Sequence, residues 1–140
     1  AGHPTNPLPF REFVKVDLSP YVEQIRVAVR EMLRDVSVVR QARLNVIGAE
    51  ILEEIERARR KHGDQTGIPD GTGSDYWVDQ ANNARDITDL NTEAGVLTRV
   101  DIVREELFEA FAESDPEALR GELIQAGAMI WAWIYDLDAR

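Results

Sequence analysis

The sequence predicts an all-α protein, an antiparallel bundle of four to five helices that dimerisation completes. Apolar residues recur at helical spacing along most of the chain, and no alternating strand pattern is present. Two such stripes stand out near the C-terminus. The first consists of Val103, Leu107, Ala110 and Phe111, and the second of Leu119, Leu123, Ala126, Ile130 and Leu137.

The N-terminal half predicts an arm followed by two helices. Residues 1–18 contain three prolines and are expected to form an extended arm, whereas residues 19–140 form a single domain. Ser19 and Pro20 are typical of a helix start, with serine as the N-cap and proline in the first turn. A first helix is expected to about Asp35. Ser37 then breaks it or caps a second helix, Val38–Lys61.

A loop rich in glycine follows the second helix, which Gly63 is expected to end. The loop contains no Gly-Lys-Ser/Thr ending, so it is not a P-loop. A third, polar helix is predicted over Tyr76–Glu93, ending at Gly95.

Two cap signals delimit the last helices. Thr98 and Asp101 resemble a capping box, with aspartate at the position usually held by glutamate or glutamine. The segment Ser114–Glu117 stops one helix and starts the next. Because this link is short, the two helices are expected to be antiparallel neighbours.

Composition narrows the range of functions. The chain has 140 residues, a net charge of −10, no cysteine and two histidines. These features exclude disulfides and thiol catalysis, and a nucleic-acid partner is not expected because it requires a basic surface. No apolar run is long enough for a membrane span. We expect a cytoplasmic protein, since the N-terminus lacks the features of a signal peptide.

Acidic residues flank both apolar stripes. At about 100° per residue, Glu106 and Glu109 occupy the same angular positions beside the first stripe as Glu122 and Gln125 beside the second. Helices packed through these stripes would direct three carboxylates and one amide into a shared groove. A hard divalent cation, Mg²⁺ or alternatively Mn²⁺, would offset their repulsion. A solvated helix edge explains the same pattern without a metal.

Three segments resemble the MazG-like family of all-α nucleoside triphosphate pyrophosphohydrolases, in particular its small phage and actinobacterial members. They are ERARRKHGDQ (56–65), PDGTG (69–73) and REELFEAFAESDPEALRGELIQAGAMIWAW (104–133). The resemblance covers residue 53 to the C-terminus. It departs from the family pattern at Gln125, where the second acidic motif would have aspartate.

The resemblance implies Mg²⁺-dependent cleavage between the α- and β-phosphates of a nucleotide, in a homodimer or a dimer of dimers. Four residues are the expected metal ligands, namely Glu106, Glu109, Glu122 and Gln125. Glu105 or Glu109 would accept the proton of the attacking water.

Substrate contacts are expected at Lys61, for phosphate, and at His62, Tyr76 or Trp77, for the base. Two of these residues also have a purely structural explanation. The dipole of its helix also explains Lys61, and anchoring in the core also explains Trp77.

Two other functions remain open. A catalytically weak or inactive helical module that binds a nucleotide or a protein partner is favoured by Gln125. A purely structural dimerisation module is the third hypothesis. Trp131 lies off its helix's stripe and predicts a second buried surface and hence a subunit interface, whereas Trp133 is expected in the core.

Overall fold

The computed structural model describes Gly2 and residues 17–140, and within that part it has four α-helices and no strand. They are α1 (Ser19–His62), α2 (Asp75–Glu93), α3 (Arg99–Ala112) and α4 (Pro116–Asp138). The all-α prediction is confirmed. The proposed arm lies almost entirely outside the described residues. The chain divides into two units at the Val39–Arg40 boundary, which falls within α1.

The prediction of two helices before the glycine-rich loop is wrong, because α1 is continuous from Ser19 to His62. Neither proline nor glycine occurs between Tyr21 and Ile47. A serine inside a helix costs only about 0.5 kcal/mol relative to alanine, so Ser37 is too weak a signal to end it. The expected end before Gly63 is correct. None of the described helices has the length and hydropathy that a membrane crossing requires.

The caps of the three shorter helices follow the sequence signals. The Ser74 side chain accepts a hydrogen bond from the Trp77 amide at the start of α2. Thr98 and Asp101 form a complete capping box on α3. Hydrogen bonds from Thr98 hold the pKa of the Asp101 carboxyl below its ordinary value. Asp115 caps α4, with Pro116 in its first turn. These local contacts fix where each helix begins.

Helix α3 is the central element of the second unit, because it packs against both α2 and α4. The buried apolar residues of the described part are Ile47, Ala81, Ala84, Ala110, Leu119 and Ala126. Four of these six are alanines, so the core is thin. Large apolar side chains are correspondingly exposed over much of the described surface.

Helix α4 packs on a different face from the one predicted. Leu119 and Ala126 are buried as expected, but Leu123, Ile130 and Leu137 of the same stripe are exposed. Glu122 and Met129 are half-buried instead, and so is Trp133, which was expected in the core. The packed face is therefore turned by about 40° toward Glu122. The stripe prediction failed because α3, rather than the apolar pattern alone, sets which face of α4 is covered.

Trp131, which was predicted to mark a second buried surface and hence a subunit interface, is half-buried and packs against α1. A Cβ atom at Gly48 would lie 2.9 Å from the Trp131 ring, so only glycine leaves room for the indole. One turn further along α4, Arg43 lies over the Tyr135 ring at 5.9 Å. Trp131 thus has a packing partner within its own chain.

The glycine-rich loop docks on the end of α3. The Gly73 amide donates a hydrogen bond to the Phe111 carbonyl at 2.9 Å. Gly73 has a φ of +80°, and a Cβ there would lie 2.8 Å from Ser114 Cβ. The Trp77 indole donates to the Gly71 carbonyl at 3.1 Å. These contacts join the loop to α2 and to the end of α3.

Candidate metal centre

Three carboxylates converge where α3 meets α4. Glu106 and Glu109 lie on α3 and Glu122 lies on α4, and each is half-buried. One carboxylate oxygen from each lies within 4.8 Å of those from the other two. The three glutamates that were predicted to share one groove therefore lie together where the two helices meet.

The cluster forms because α3 and α4 are neighbours joined by only three residues, 113–115. Glu106 and Glu109 are one turn apart, so they lie on adjacent parts of one helix face. The rotation of α4 described above brings Glu122 from the flank of its helix into the packed face. Glu122 of α4 therefore lies nearer the contact with α3 than its position beside the apolar stripe predicted.

The electrostatics of the cluster are unfavourable without a cation. Glu106 Oε2 and Glu122 Oε2 are buried and have no hydrogen-bond partner within the described part of the chain. Burial raises the pKa of the Glu106 carboxyl above its ordinary value, with further contributions from Glu109, Glu122 and Glu105. Buried carboxylate oxygens without partners cost free energy. A group that satisfied both oxygens would remove that cost.

Arg85 of α2 supplies positive charge at one side of the cluster. Its guanidinium donates a hydrogen bond to Glu109 Oε1 at 2.5 Å and lies 4.0 Å from Glu105 Oε1. Arg85 is half-exposed, whereas Glu105 and Glu109 are more covered, with 21% and 25% of their side chains exposed. Arg85 therefore partly offsets the repulsion, but its hydrogen bond is to Glu109, and the buried oxygens of Glu106 and Glu122 stay without partners.

A cleft of about 330 Å³ opens beside the carboxylates. Its lining residues come from α2, α3, α4 and the α3–α4 link, and they are Val78, Ala81, Asn82, Arg85, Glu109, Ala112, Glu113 and Glu122. The lining combines three acids, one arginine and one amide with small apolar side chains. It is polar enough to hold a charged ligand and open enough to admit one.

The other two predicted members of the acidic site are Gln125 and Glu105. Gln125 is exposed on α4, one turn after Glu122. Glu105 is half-buried on α3 and faces Arg85. The three-carboxylate group therefore consists of glutamates 106, 109 and 122 alone.

None of the four predicted substrate-binding residues lines this cleft. Lys61 and His62 are exposed at the end of α1. Tyr76 is 61% exposed at the start of α2. Trp77 is half-buried, and its ring centroid lies 4.8 Å from that of Phe111. Of the two open interpretations of Trp77, the structure favours anchoring of the core.

The sequence interpretation missed Arg85, although a signal was present. Val78, Asn82 and Arg85 recur at i, i+4 and i+7, so they share one face of α2. A single cation on that face, within a chain of charge −10, is a natural partner for the acids of a neighbouring helix.

The donor set fits a small hard cation. Mg²⁺ takes oxygen ligands at about 2.0–2.1 Å, which places neighbouring oxygens about 3–4 Å apart. The glutamate oxygens lie within 4.8 Å of one another, so they would have to move closer by up to about 1 Å to share such an ion. A cation held there would give the two buried oxygens the partners that they lack.

Comparison with known proteins finds no family model, no curated protein and no solved structure that matches this chain. The class defined by fold and site is thus an all-α protein with a three-glutamate cluster beside a cleft. The MazG-like resemblance remains a prediction from the sequence.

Proposed function

We propose that the protein is a Mg²⁺-dependent nucleotide pyrophosphohydrolase of MazG-like type, which cleaves the α–β phosphate bond of a nucleoside triphosphate. The observation that carries the proposal is the group of three converging glutamates with two buried, unpartnered oxygens. The adjoining cleft would give a phosphate-bearing ligand access to a cation held there, and that cation would offset the three glutamates of the lining. The bond that is cleaved and the class of nucleotide are taken from the sequence resemblance.

Each acidic residue has a proposed role. Glu106, Glu109 and Glu122 would hold Mg²⁺ or Mn²⁺, with exposed Gln125 as a neutral ligand through its amide or a water. Bound there, the cation would neutralise phosphate oxygens and lower the pKa of the attacking water. Glu105 lies outside the cluster and is therefore the better candidate to accept the water's proton. Glu109, which accepts a hydrogen bond from Arg85, is the alternative base.

Contacts to the rest of the nucleotide are proposed as well. Arg85 lines the cleft and can donate hydrogen bonds to phosphate oxygens. Tyr76 and Trp77 are proposed base contacts at the start of α2, and the 61% exposure of Tyr76 leaves its ring free to stack on a base. His62 and Lys61 remain candidates at the end of α1. A homodimer or dimer of dimers in the cytoplasm completes the proposal, and the exposed apolar residues of α4 support self-association.

The test is a panel of nucleoside triphosphates and alarmones incubated with Mg²⁺, with Mn²⁺ and with EDTA. We expect a monophosphate and pyrophosphate from at least one triphosphate, only when a divalent cation is present. Release of a diphosphate and orthophosphate would contradict the assigned bond. Absence of any product would favour the second candidate, a nucleotide-binding module without turnover, which the loss of one negative charge at Gln125 supports. Titration calorimetry with the same nucleotides would then detect binding.

Arg85→Gln is expected to tighten Mg²⁺ binding and to raise KM for the nucleotide. The ion pair to Glu109 must open before Glu109 can bind a cation, and an exposed ion pair of about 1 kcal/mol corresponds to a Kd about fivefold lower without it. Calorimetric titration of Mg²⁺ measures the first effect and steady-state kinetics the second. Arg99→Gln is the matched control, since Arg99 pairs with Asp136 at the other end of α3. Weaker Mg²⁺ binding by Arg85→Gln would show that Arg85 supports the site instead.

A further inference from the structure

The first part of α1 carries an apolar seam with a seven-residue period. Its members alternate spacings of four and three residues, and they are Leu18, Val22, Ile25, Val29, Met32, Val36 and Val39. Each is between 41% and 61% exposed. Within the part of the chain that the structure describes, nothing covers this face. It is too regular and too long to be a set of unrelated surface residues.

The spacing indicates a coiled coil. A helix that packs against its own core repeats its apolar residues every 3.6 positions, whereas a strict repeat of 3.5 keeps the seam facing a partner helix over many turns. Valines occupy every a position, residues 22, 29 and 36. β-branched residues at the a positions favour two strands when leucine occupies the d positions, and of the d positions here only residue 18 is leucine. The seam thus indicates a partner helix of the same kind, and the mass of the assembly tests whether there is one partner or more.

The flanking charges indicate a second copy in parallel orientation. Asp35 and Arg40 occupy the g and e positions, so a parallel pair places each Asp35 next to Arg40 of the second copy. An antiparallel pair would instead place Arg26 near Arg40 of the second copy, which is repulsive. The charges therefore select one of the two orientations.

The charge balance of the segment also favours self-association. Residues 19–39 contain three arginines and three acidic residues, so they carry no net charge although the whole chain carries −10. The same balance argues against an anionic membrane as the partner, since helices that bind such surfaces are rich in Lys and Arg on the polar face.

The seam ends where α1 begins to contact its own chain. The next a position is Arg43, which would place like charges together in a pair of helices, and its guanidinium lies over the Tyr135 ring of the same chain. Ile47 is then buried and Gly48 receives Trp131. The helix thus changes from an apolar face without a partner to one that is packed within the chain.

We propose that residues 18–39 pair with the same residues of a second copy as a parallel two-stranded coiled coil. This interface is built from α1 alone and does not depend on the carboxylate cluster or on catalysis. The chain would therefore associate with a second copy whatever reaction the cleft supports.

The test compares two substitutions two residues apart. Val29 lies in the seam and is 41% exposed, whereas Val27 lies on the opposite side and is 44% exposed. Sedimentation equilibrium of the full-length chain is expected to show that Val29→Asp halves the mass of the assembly or weakens it at least tenfold. Val27→Asp is expected to leave the mass unchanged. Equal behaviour of the two variants, or a monomeric wild type at tens of micromolar, would overturn the proposal. Circular dichroism verifies that both variants remain helical.

The absence of cysteine from the chain allows a direct test of orientation. Met32→Cys is expected to form a disulfide-linked dimer on mild oxidation, because in a parallel pair each residue 32 faces its equivalent. Asp35→Arg is expected to weaken the assembly, and Asp35→Arg with Arg40→Asp to restore it. A dimer that forms no cross-link and does not respond to the charge exchange would overturn the parallel arrangement.

Discussion

Replacing Glu106 and Glu122 with glutamine is expected to abolish divalent-cation binding at the cluster while stabilising the metal-free protein. Both residues have a buried carboxylate oxygen without a hydrogen-bond partner within the described residues, and both face Glu109. Glutamine keeps the shape of each side chain and removes its charge. Relief of repulsion in a partly buried site should raise the Tm in EDTA by about 4 °C or more.

The same double substitution is expected to lower kcat for nucleotide hydrolysis by about 1000-fold or more. A catalytic cation contributes several kcal/mol of charge stabilisation, and each 1.4 kcal/mol corresponds to a factor of ten in rate. Added Mg²⁺ should stabilise the wild type against heat by linkage and have no effect on the variant. Calorimetric titration of Mg²⁺ provides an independent readout that does not require the correct substrate.

The pH dependence of stability should show the same repulsion. Because the pKa of Glu106 is raised on folding, the folded protein binds more protons than the unfolded chain between the ordinary and the raised value. The metal-free wild type should therefore lose stability as the pH rises through that interval. The loss should be smaller in Glu106→Gln.

A charge-matched control separates these effects from the change in net charge. Glu53→Gln with Glu56→Gln removes two carboxylates from exposed positions on α1. That variant should keep cation binding and show a Tm close to the wild type. If Glu106→Gln with Glu122→Gln instead unfolds more easily in EDTA, the carboxylates are structural and the cation site must be abandoned. If Mg²⁺ stabilised the Glu106→Gln, Glu122→Gln variant against heat as much as the wild type, the cation would bind elsewhere.

The features that could be predicted from sequence are those that depend on neighbouring residues. The start of α4 follows from Asp115 and Pro116, and the capping box from Thr98 and Asp101, because each contact spans at most three residues. The convergence of three glutamates also followed from the sequence. The angular positions of Glu106, Glu109 and Glu122 and the short link between their helices indicated it, and the turn of α4 then brought Glu122 into the packed face.

The features that could not be predicted depend on contacts between helices. The 40° turn of α4 depends on how α4 packs against α3, and no single-helix pattern contains that information. The pairing of Arg85 with Glu109 joins residues 24 positions apart. The continuity of α1 has a local cause, since the helix propensity of Ser37 is too close to that of its neighbours to end a helix.

Aromatic packing between α2 and α3 leads to the second large expected effect. The Trp77 ring lies 4.8 Å from Phe111 and 5.8 Å from Phe108 between ring centroids, and its indole N–H donates to the Gly71 carbonyl. Few large side chains are buried in this domain. The half-buried Trp77 therefore contributes much of the apolar contact between the two helices and the loop.

Trp77→Ala is accordingly expected to lower the free energy of unfolding by about 3 kcal/mol, within the usual range for removing a packed aromatic side chain. Tyr76→Ala is the comparison, because its ring is 61% exposed and touches Trp77 only edge-on, at 4.9 Å between centroids, so its loss should cost about 1 kcal/mol. Urea denaturation at constant pH measures both. The two substitutions also distinguish the proposed roles. If the Tyr76 ring stacks on the base, Tyr76→Ala should raise KM for the nucleotide with only this small change in stability. If Trp77→Ala raised KM and left stability unchanged, Trp77 rather than Tyr76 would contact the base, and the core assignment of its indole would be wrong.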